Sequence, residues 1–355
     1  MSTIADFYKG KRVLVTGHTG FKGAWLCSWL TKMGSDVCGY ALEPSTEPSL
    51  FNILKLKEHA NSVIADIRDY CRLHSVLEEF RPDLIFHLAA QALVRRSYRE
   101  PRLTFETNMM GIVNLLEAVR KTGCARALVN VTSDKCYENR EWVWGYREND
   151  RVGGKDSYSA SKGAAELITA SYRRSFFENS ETAVATARSG NVIGGGDWAE
   201  DRLVPDIVRS LSQGKEIAIR NPGAVRPWQH VLEPLSGYLL LGKLLYEKGQ
   251  EYAEAWNFGP HEVGSLSVED LVRKSVEIWG GGSYRVESRN HLPEAMILRL
   301  DVSKAIHRLD WRPQMTSEDA VEKTIGWYVT YYRNEKTASK MVKEQIEEYS
   351  EQITM

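Results

Sequence analysis

Tyr158 and Lys162, in the run Tyr158-Ser159-Ala160-Ser161-Lys162, are four positions apart and share one face of any helix that holds them. A phenol with a pKa of about 10 is a poor base at neutral pH, but an adjacent ammonium favours the phenolate. Such a pair can take the proton of a hydroxyl while hydride leaves the carbon that bears it. Ser133-Asp134-Lys135 offers a hydroxyl, an acid and a base in succession. Ser133 can hydrogen-bond the reacting oxygen as a neutral donor and acceptor. Oxidation alone has no use for the other two. Expelling a hydroxyl from the next carbon needs both, an acid for the leaving oxygen and a base for the C–H.

A hydride acceptor has its own signature. Gly17-His18-Thr19-Gly20-Phe21-Lys22-Gly23 follows the apolar run Arg12 to Thr16 and opens a helical stretch that Gly34 stops. A tight glycine turn there lets backbone N–H groups and a helix N-terminus face a pyrophosphate. Asp66 closes a later strand, where its carboxylate can accept from an adenine amino group. The turn after the second strand carries Glu43 and no Arg for a 2′-phosphate, which favours NAD over NADP.

These groups must be positioned by a sheet. Short β-branched runs, Arg12 to Thr16, Val37 to Tyr40, Ser62 to Ala65, Leu84 to Ala89, Leu128 to Thr132 and Val184 to Arg188, alternate with amphipathic stretches. The stretches run from Asp69 to Phe80, from Pro101 to a stop at Gly123, and from about Ser157 to Phe177. The pattern predicts an α/β fold, a Rossmann-type doubly wound parallel sheet with a smaller, interleaved C-terminal substrate domain. Residues 1–185 should bind the dinucleotide, with segments near 230–260 returning to that unit, and 186–355 should mainly bind substrate. Ser133 then lies at the carboxyl edge of the sheet, where ligands sit in open α/β folds. The long loop from Glu138 to Lys155 is of a length that is usually functional. The highly charged end of the chain, from Asn334, reads as a solvated helix with a frayed end.

Composition narrows the partners. The chain has 355 residues, 43% of them hydrophobic, enough for one large core and a smaller one. Its 46 basic and 47 acidic side chains are well mixed, so no nucleic-acid-binding face is expected. The longest apolar runs fall short of a membrane span, and no export signal precedes them. Five cysteines without a C-x-x-C pair fit reduced thiols in the cytoplasm. His18, His87 and His230 lack ligand spacing, and no metal is expected.

The chain resembles a known family. Thr16 to Gly23, His87-Leu88-Ala89-Ala90-Gln91, Thr132-Ser133-Asp134-Lys135-Cys136-Tyr137 and Tyr158-x-x-x-Lys162 together resemble the nucleotide-sugar 4,6-dehydratases, which are extended short-chain dehydrogenases. Asp134-Lys135, in place of Asp-Glu, and the loop Glu141-Trp142-Val143-Trp144-Gly145-Tyr146 are similar to the branch that acts on CDP-glucose. Ser133 stands where the dTDP-glucose branch has Thr, which keeps the hydroxyl. The resemblance implies bound NAD, held also by Ile67, Leu88, Ala89, Ala90 and Thr107, and a homo-oligomer, a dimer or dimer of dimers. It implies that Tyr158 deprotonates the 4-hydroxyl as hydride leaves C4, that Lys135 removes the C5 proton, and that Asp134 protonates the departing 6-hydroxyl. Hydride then returns to C6. The segments Arg188 to Asp197 and Arg220 to Val231 are similar to the family's substrate segments, which makes Gln91, Asn191, Arg202, Arg220, Arg226 and Arg299 candidates for the nucleotide sugar. Trp142, Trp144 and Trp228 could stack on a base or anchor the loop. A dehydratase of UDP-N-acetylglucosamine, an epimerase and an idle dinucleotide-binding scaffold are the rival readings.

Overall fold

The computed structural model describes residues 3–260, 265–287 and 297–353. Seven strands, all paired in parallel, form the central sheet. They are β1 (Arg12–Thr16), β2 (Asp36–Ala41), β3 (Asn61–Ile64), β4 (Leu84–His87), β5 (Ala127–Val131), β6 (Ala183–Arg188) and β7 (Ala255–Asn257). Their order is β7-β6-β5-β4-β1-β2-β3. The winding reverses between β1 and β4, so a crevice opens there at the strands' carboxyl ends.

Five helices cover the sheet: α1 (Phe21–Lys32), α2 (Tyr70–Phe80), α3 (Gly111–Thr122), α4 (Ser157–Tyr172) and α5 (Leu232–Lys248). Side chains alternate across a strand, so each strand feeds two cores. Val13, Val15, Phe86 and Val129 pack with Trp25 and Leu30 of α1 and Leu235 and Leu239 of α5. Leu14, Ile85, Leu128 and Val184 pack on the other face with Leu73 and Leu77 of α2, Ile112 and Leu115 of α3 and Ala165 of α4. Local signals set the helix ends. Asp69 and Asp156 cap α2 and α4 by accepting from Arg72 N and Ser159 N, and Gly123 ends α3 with φ of +56°.

Beyond β6 the described residues make three two-stranded pairs and further helices, among them Leu203–Ser212, Val268–Trp279 and Ser317–Arg333. It crosses back to the sheet through α5 and β7. Two long helices expected from the sequence are interrupted. A π-helical turn at Glu106–Met110 separates Pro101–Phe105 from α3, and another at Arg173–Phe177 follows α4.

The charged C-terminal segment corrects its expectation. Its helix, Ala338–Gln352, is docked rather than solvated: Ala338, Val342, Ile346 and Tyr349 are fully buried, and the Tyr349 hydroxyl donates to Glu233 at 2.9 Å. Those four positions recur at helical spacing, a narrow apolar stripe that the surrounding charge obscures.

Candidate active site

The turn after β1 divides its glycines by task. Gly17 has φ of +77°, and a Cβ on it would lie 2.8 Å from Ala89 N in the turn after β4. Gly23 lies flush on the turn, where a Cβ would meet Gly17 O at 2.1 Å. Gly20 caps α1, and a Cβ on it would have only Gly17 O, at 3.4 Å, within reach. One glycine makes the turn, one packs helix on strand, and the middle one leaves the backbone open to approach, which fits a pyrophosphate on the N-terminus of α1. Thr16 Oγ1 accepts from Leu88 N and Ala89 N, both at 3.2 Å, and lies 2.7 Å from His87 Nδ1, so the two turns are locked together.

The other cofactor candidates spread along this side of the crevice. His18 is buried against Phe51 and bonds Ser62 Oγ at 2.6 Å; burial pulls its pKa down to about 4. Thr19 donates to Leu42 O. Ile67 packs against Gly111, and Thr107 lies in the π-helical turn ahead of α3. The Asp66 carboxylate is already gripped by the Arg68 guanidinium, at 2.6 Å, and Arg68 also reaches Glu106. Glu43 is an exposed partner of Lys57. Among the described residues, no three His, Cys, Asp or Glu side chains gather as a metal site.

The chemistry-bearing residues converge at β5. Ser133 leaves the strand in extended conformation and caps a single 3-10 turn, Asp134–Cys136, by accepting from Lys135 N. Its hydroxyl donates to Asp134 Oδ1 at 2.9 Å. Tyr158 lies in the first turn of α4, and the Ser133 hydroxyl is near enough to favour its phenolate. Burial pushes the Tyr158 phenol up to about 12, against which the nearby Ser133 hydroxyl works. Nearby positive charge is therefore needed before it can act as a base. Lys162, one turn on, is buried and donates to Val131 O at 3.3 Å; burial draws its pKa down to about 8. Asp134 is 3% exposed and Lys135 is half-buried beside it.

The turn after β6 closes the other side. A Cβ at Gly190 would sit 1.8 Å from Asp134 Oδ2, so a side chain there would displace the Asp134 carboxylate. Asn191, with φ of +51°, donates to the same oxygen at 3.4 Å. A narrow cavity of about 20 Å³ opens here, lined by Asp134, Gly190, Gln229, Pro260, Arg299 and Leu300 among others. Arg299 faces the cavity. Arg202 pairs with Asp197 at 2.8 Å and bears on Tyr158 electrostatically. Arg226 donates to Val225 O beside the cavity residue Pro227, and Arg220 follows the short strand Ile217–Ile219. Gln91 is different: its amide is taken up by Leu93 and Thr104, which makes it a bracket behind the site.

Lys22, a cofactor candidate from its motif, takes another direction, and Gln229 is missed by motif spacing. Lys22 turns away from the glycine loop and reaches Ser189 Oγ at 3.1 Å. Burial first, then Lys162 and Arg202, lower its pKa to about 7. Gln229, 2% exposed, donates to Gly190 O and Phe258 O, which leaves Oε1 without a partner at the cavity. The tryptophans divide. Trp228 is buried, while Trp142 and Trp144 form a tilted pair, with Trp142 also against Tyr146, on a loop that bridges to Leu300.

A parallel sheet with a glycine turn at its reversal point, and Ser133, Tyr158 and Lys162 at the adjoining strand end, defines an NAD-using enzyme of the extended short-chain dehydrogenase type. Residues 14–324 match the family model described as GDP-mannose 4,6 dehydratase, and the chain belongs to that family. It is 51% identical over 336 residues to the CDP-glucose 4,6-dehydratase of Salmonella typhimurium, across 93% of this chain and 94% of that protein. Identity to the dTDP-glucose 4,6-dehydratase of the same organism is 24%, over 90% and 92% of the two chains. The UDP-glucose 4-epimerase of Thermotoga maritima, solved with UDP-glucose, superposes with a TM-score of 0.76 at 25% identity over 91% of this chain and 99% of that one. The dTDP-glucose 4,6-dehydratase of Streptomyces venezuelae, solved with NAD, shares the fold with a TM-score of 0.79 at 24% identity over 93% and 99%.

Proposed function

We propose that this protein converts CDP-glucose to CDP-4-keto-6-deoxyglucose with NAD, by oxidation at C4, loss of water across C5–C6 and reduction at C6. One observation carries the reading: Asp134 and Lys135 share a single turn with Ser133, at the end of β5 on which α4 packs with Tyr158 and Lys162. Bound NAD supplies a hydride acceptor that becomes the donor later in the same cycle. The chain supplies the protons. Tyr158, aided by Lys162, takes the proton of the 4-hydroxyl while Ser133 holds that oxygen. The resulting ketone acidifies C5–H, which Lys135 removes, and Asp134 gives a proton to the 6-oxygen as it leaves as water. Arg226 and Arg299 suit the diphosphate as guanidinium forks.

An epimerase would leave Asp134 and Lys135 without a task, and the 51% identity favours the CDP-linked sugar over UDP-N-acetylglucosamine. Residues 1–185, with α5 and β7, form the cofactor unit in this reading, and the remainder is mainly the substrate unit. The exposed Met110, Leu167 and Phe176 on and beside α3 and α4 support a homodimer through those helices. The five free cysteines support a cytoplasmic setting, and the balanced charge argues against nucleic acid. No described helix is long and apolar enough to cross a membrane. Incubation with CDP-, dTDP-, UDP- and GDP-sugars tests the reading. A 4-keto-6-deoxy product should form fastest from CDP-glucose, and turnover of another sugar nucleotide in its place would reassign the substrate.

A further inference from the structure

One turn beyond Lys162 on α4, Glu166 is only 5% exposed, a position where a carboxylate is costly unless fully bonded. Its partners come from two strand ends. Thr132 Oγ1 donates at 2.5 Å, Thr186 Oγ1 at 2.7 Å and Arg188 at 2.8 Å. Thr132 directly precedes Ser133. Arg188 directly precedes Ser189, whose carbonyl accepts from Asp134 N and whose hydroxyl accepts from Lys22. The Arg188 guanidinium continues to the Tyr137 hydroxyl at 2.7 Å and to Glu148 O at 3.0 Å, and Tyr137 donates on to Asn257 Oδ1. One buried carboxylate thus binds the helix of Tyr158 and Lys162 to both turns that face the substrate cavity.

We propose that Glu166 is a positioning residue for the oxidation, its charge keeping the buried Lys162 an ammonium beside Tyr158 and its bonds fixing α4 against the turns after β5 and β6. The surroundings of Lys162 leave this task to Glu166. Lys22 from α1, with its pKa lowered to about 7, brings no negative charge. His87, at the end of β4, is held neutral by burial, with its pKa near 3. The Cys136 thiol, on the catalytic turn, is pushed up by burial and stays protonated. Tyr158 stands one turn back on the same helix. Burial opposes the charge on Glu166, yet Arg188 and the two threonines hold the carboxyl below its ordinary value, so it is ionised across the working range.

The proposal rests on the oxidation assigned to Tyr158, so wild-type turnover of CDP-glucose is recorded first in the same assay; its absence would remove that assignment and not this one alone. Transient NADH absorbance is then followed against pH in Glu166→Gln. Lys162 should lose its proton at lower pH, moving the basic limb of the oxidation rate down by about one unit. The rate at pH 8 should fall about fivefold, approaching tenfold at higher pH, with KM for CDP-glucose within about twofold. Glu166→Asp, which keeps the charge, should restore much of the limb. If Glu166→Gln does not fold because Arg188 is left unpaired, Glu166→Gln with Arg188→Met buries no lone charge and is read the same way. A basic limb at the wild-type pH in the folded variant, or a rate loss equal at every pH, reduces Glu166 to a scaffold residue and overturns the proposal.

Discussion

The floor of the crevice and its rim are built differently. On the floor, Ser133, Asp134, Tyr158, Lys162, Glu166 and Arg188 are all buried, and most lie within 3 Å of a polar partner. They stand on strand ends and on the first turns of a capped helix, so their places are set by the sheet. On the rim, Arg220, Arg226 and Arg299 are half-exposed and come from short pairs and loops beyond β6. Trp144 is 60% exposed. The difference fits the two tasks proposed for these regions. Proton transfer tolerates little misplacement and gains from a dry, preorganised setting, whereas a nucleotide diphosphate can be gripped by long cationic side chains that adjust to it.

That contrast can be broken. Tyr158→Phe removes a floor group without altering packing, and it should abolish transient NADH formation and cut turnover by roughly 10²- to 10⁴-fold. Normal reduction of NAD by the variant would place the base elsewhere. On the rim, Arg226→Ala or Arg299→Ala should each raise KM for CDP-glucose by roughly 10- to 100-fold, as loss of a charge-assisted hydrogen bond does, with kcat nearly unchanged. Steady-state kinetics decide this, and a change confined to kcat would contradict the division.

The smallest effect is far from both regions. Glu233 accepts from the backbone of Gln314 and Met315 and from Tyr349, and burial, only partly offset by these bonds, raises its pKa to about 7. A carboxyl raised on folding binds its proton more tightly in the native state, so its contribution to stability is full below about pH 4.5 and is lost as pH climbs to about 7. The loss amounts to about 3 kcal/mol. Thermal melts should show Tm falling between pH 5 and pH 8, and Glu233→Gln should flatten that slope. A parallel slope in the variant would assign the pH dependence to other groups.

Much of the floor was legible because its residues are tied to strand ends. The β-branched runs located β1 to β6, the glycine spacing located the first turn, and the places of Ser133, Tyr158 and Lys162 followed from the ends of β5 and the start of α4. Glu166 was within reach too, since Lys162 and Glu166 are four apart on one helix face, but its value depends on Arg188, which only the pairing of β5 with β6 brings near. Lys22 and Gln91 show the converse. Both stand in motifs, yet the side chain of one crosses to Ser189 and the amide of the other folds back on Leu93, and spacing along a chain carries no information on such rotamers. The docked C-terminal helix was obscured because its apolar stripe is one residue wide among charges.

The central claim is that oxidation and elimination are served by different residues on adjoining turns, and isotope exchange with Lys135→Met and Asp134→Asn tests it most directly. Each variant is mixed with NAD and CDP-glucose in deuterium oxide, with enzyme-bound NADH followed by absorbance and C5 deuterium by mass spectrometry. Both should still form NADH, while the 4-keto-6-deoxy product falls by roughly 10²- to 10⁴-fold. The wild type should place deuterium at C5, and Lys135→Met should place almost none. Wild-type product formation by both variants, or full C5 exchange without Lys135, would reduce Asp134 and Lys135 to a structural turn and take the dehydration away from them.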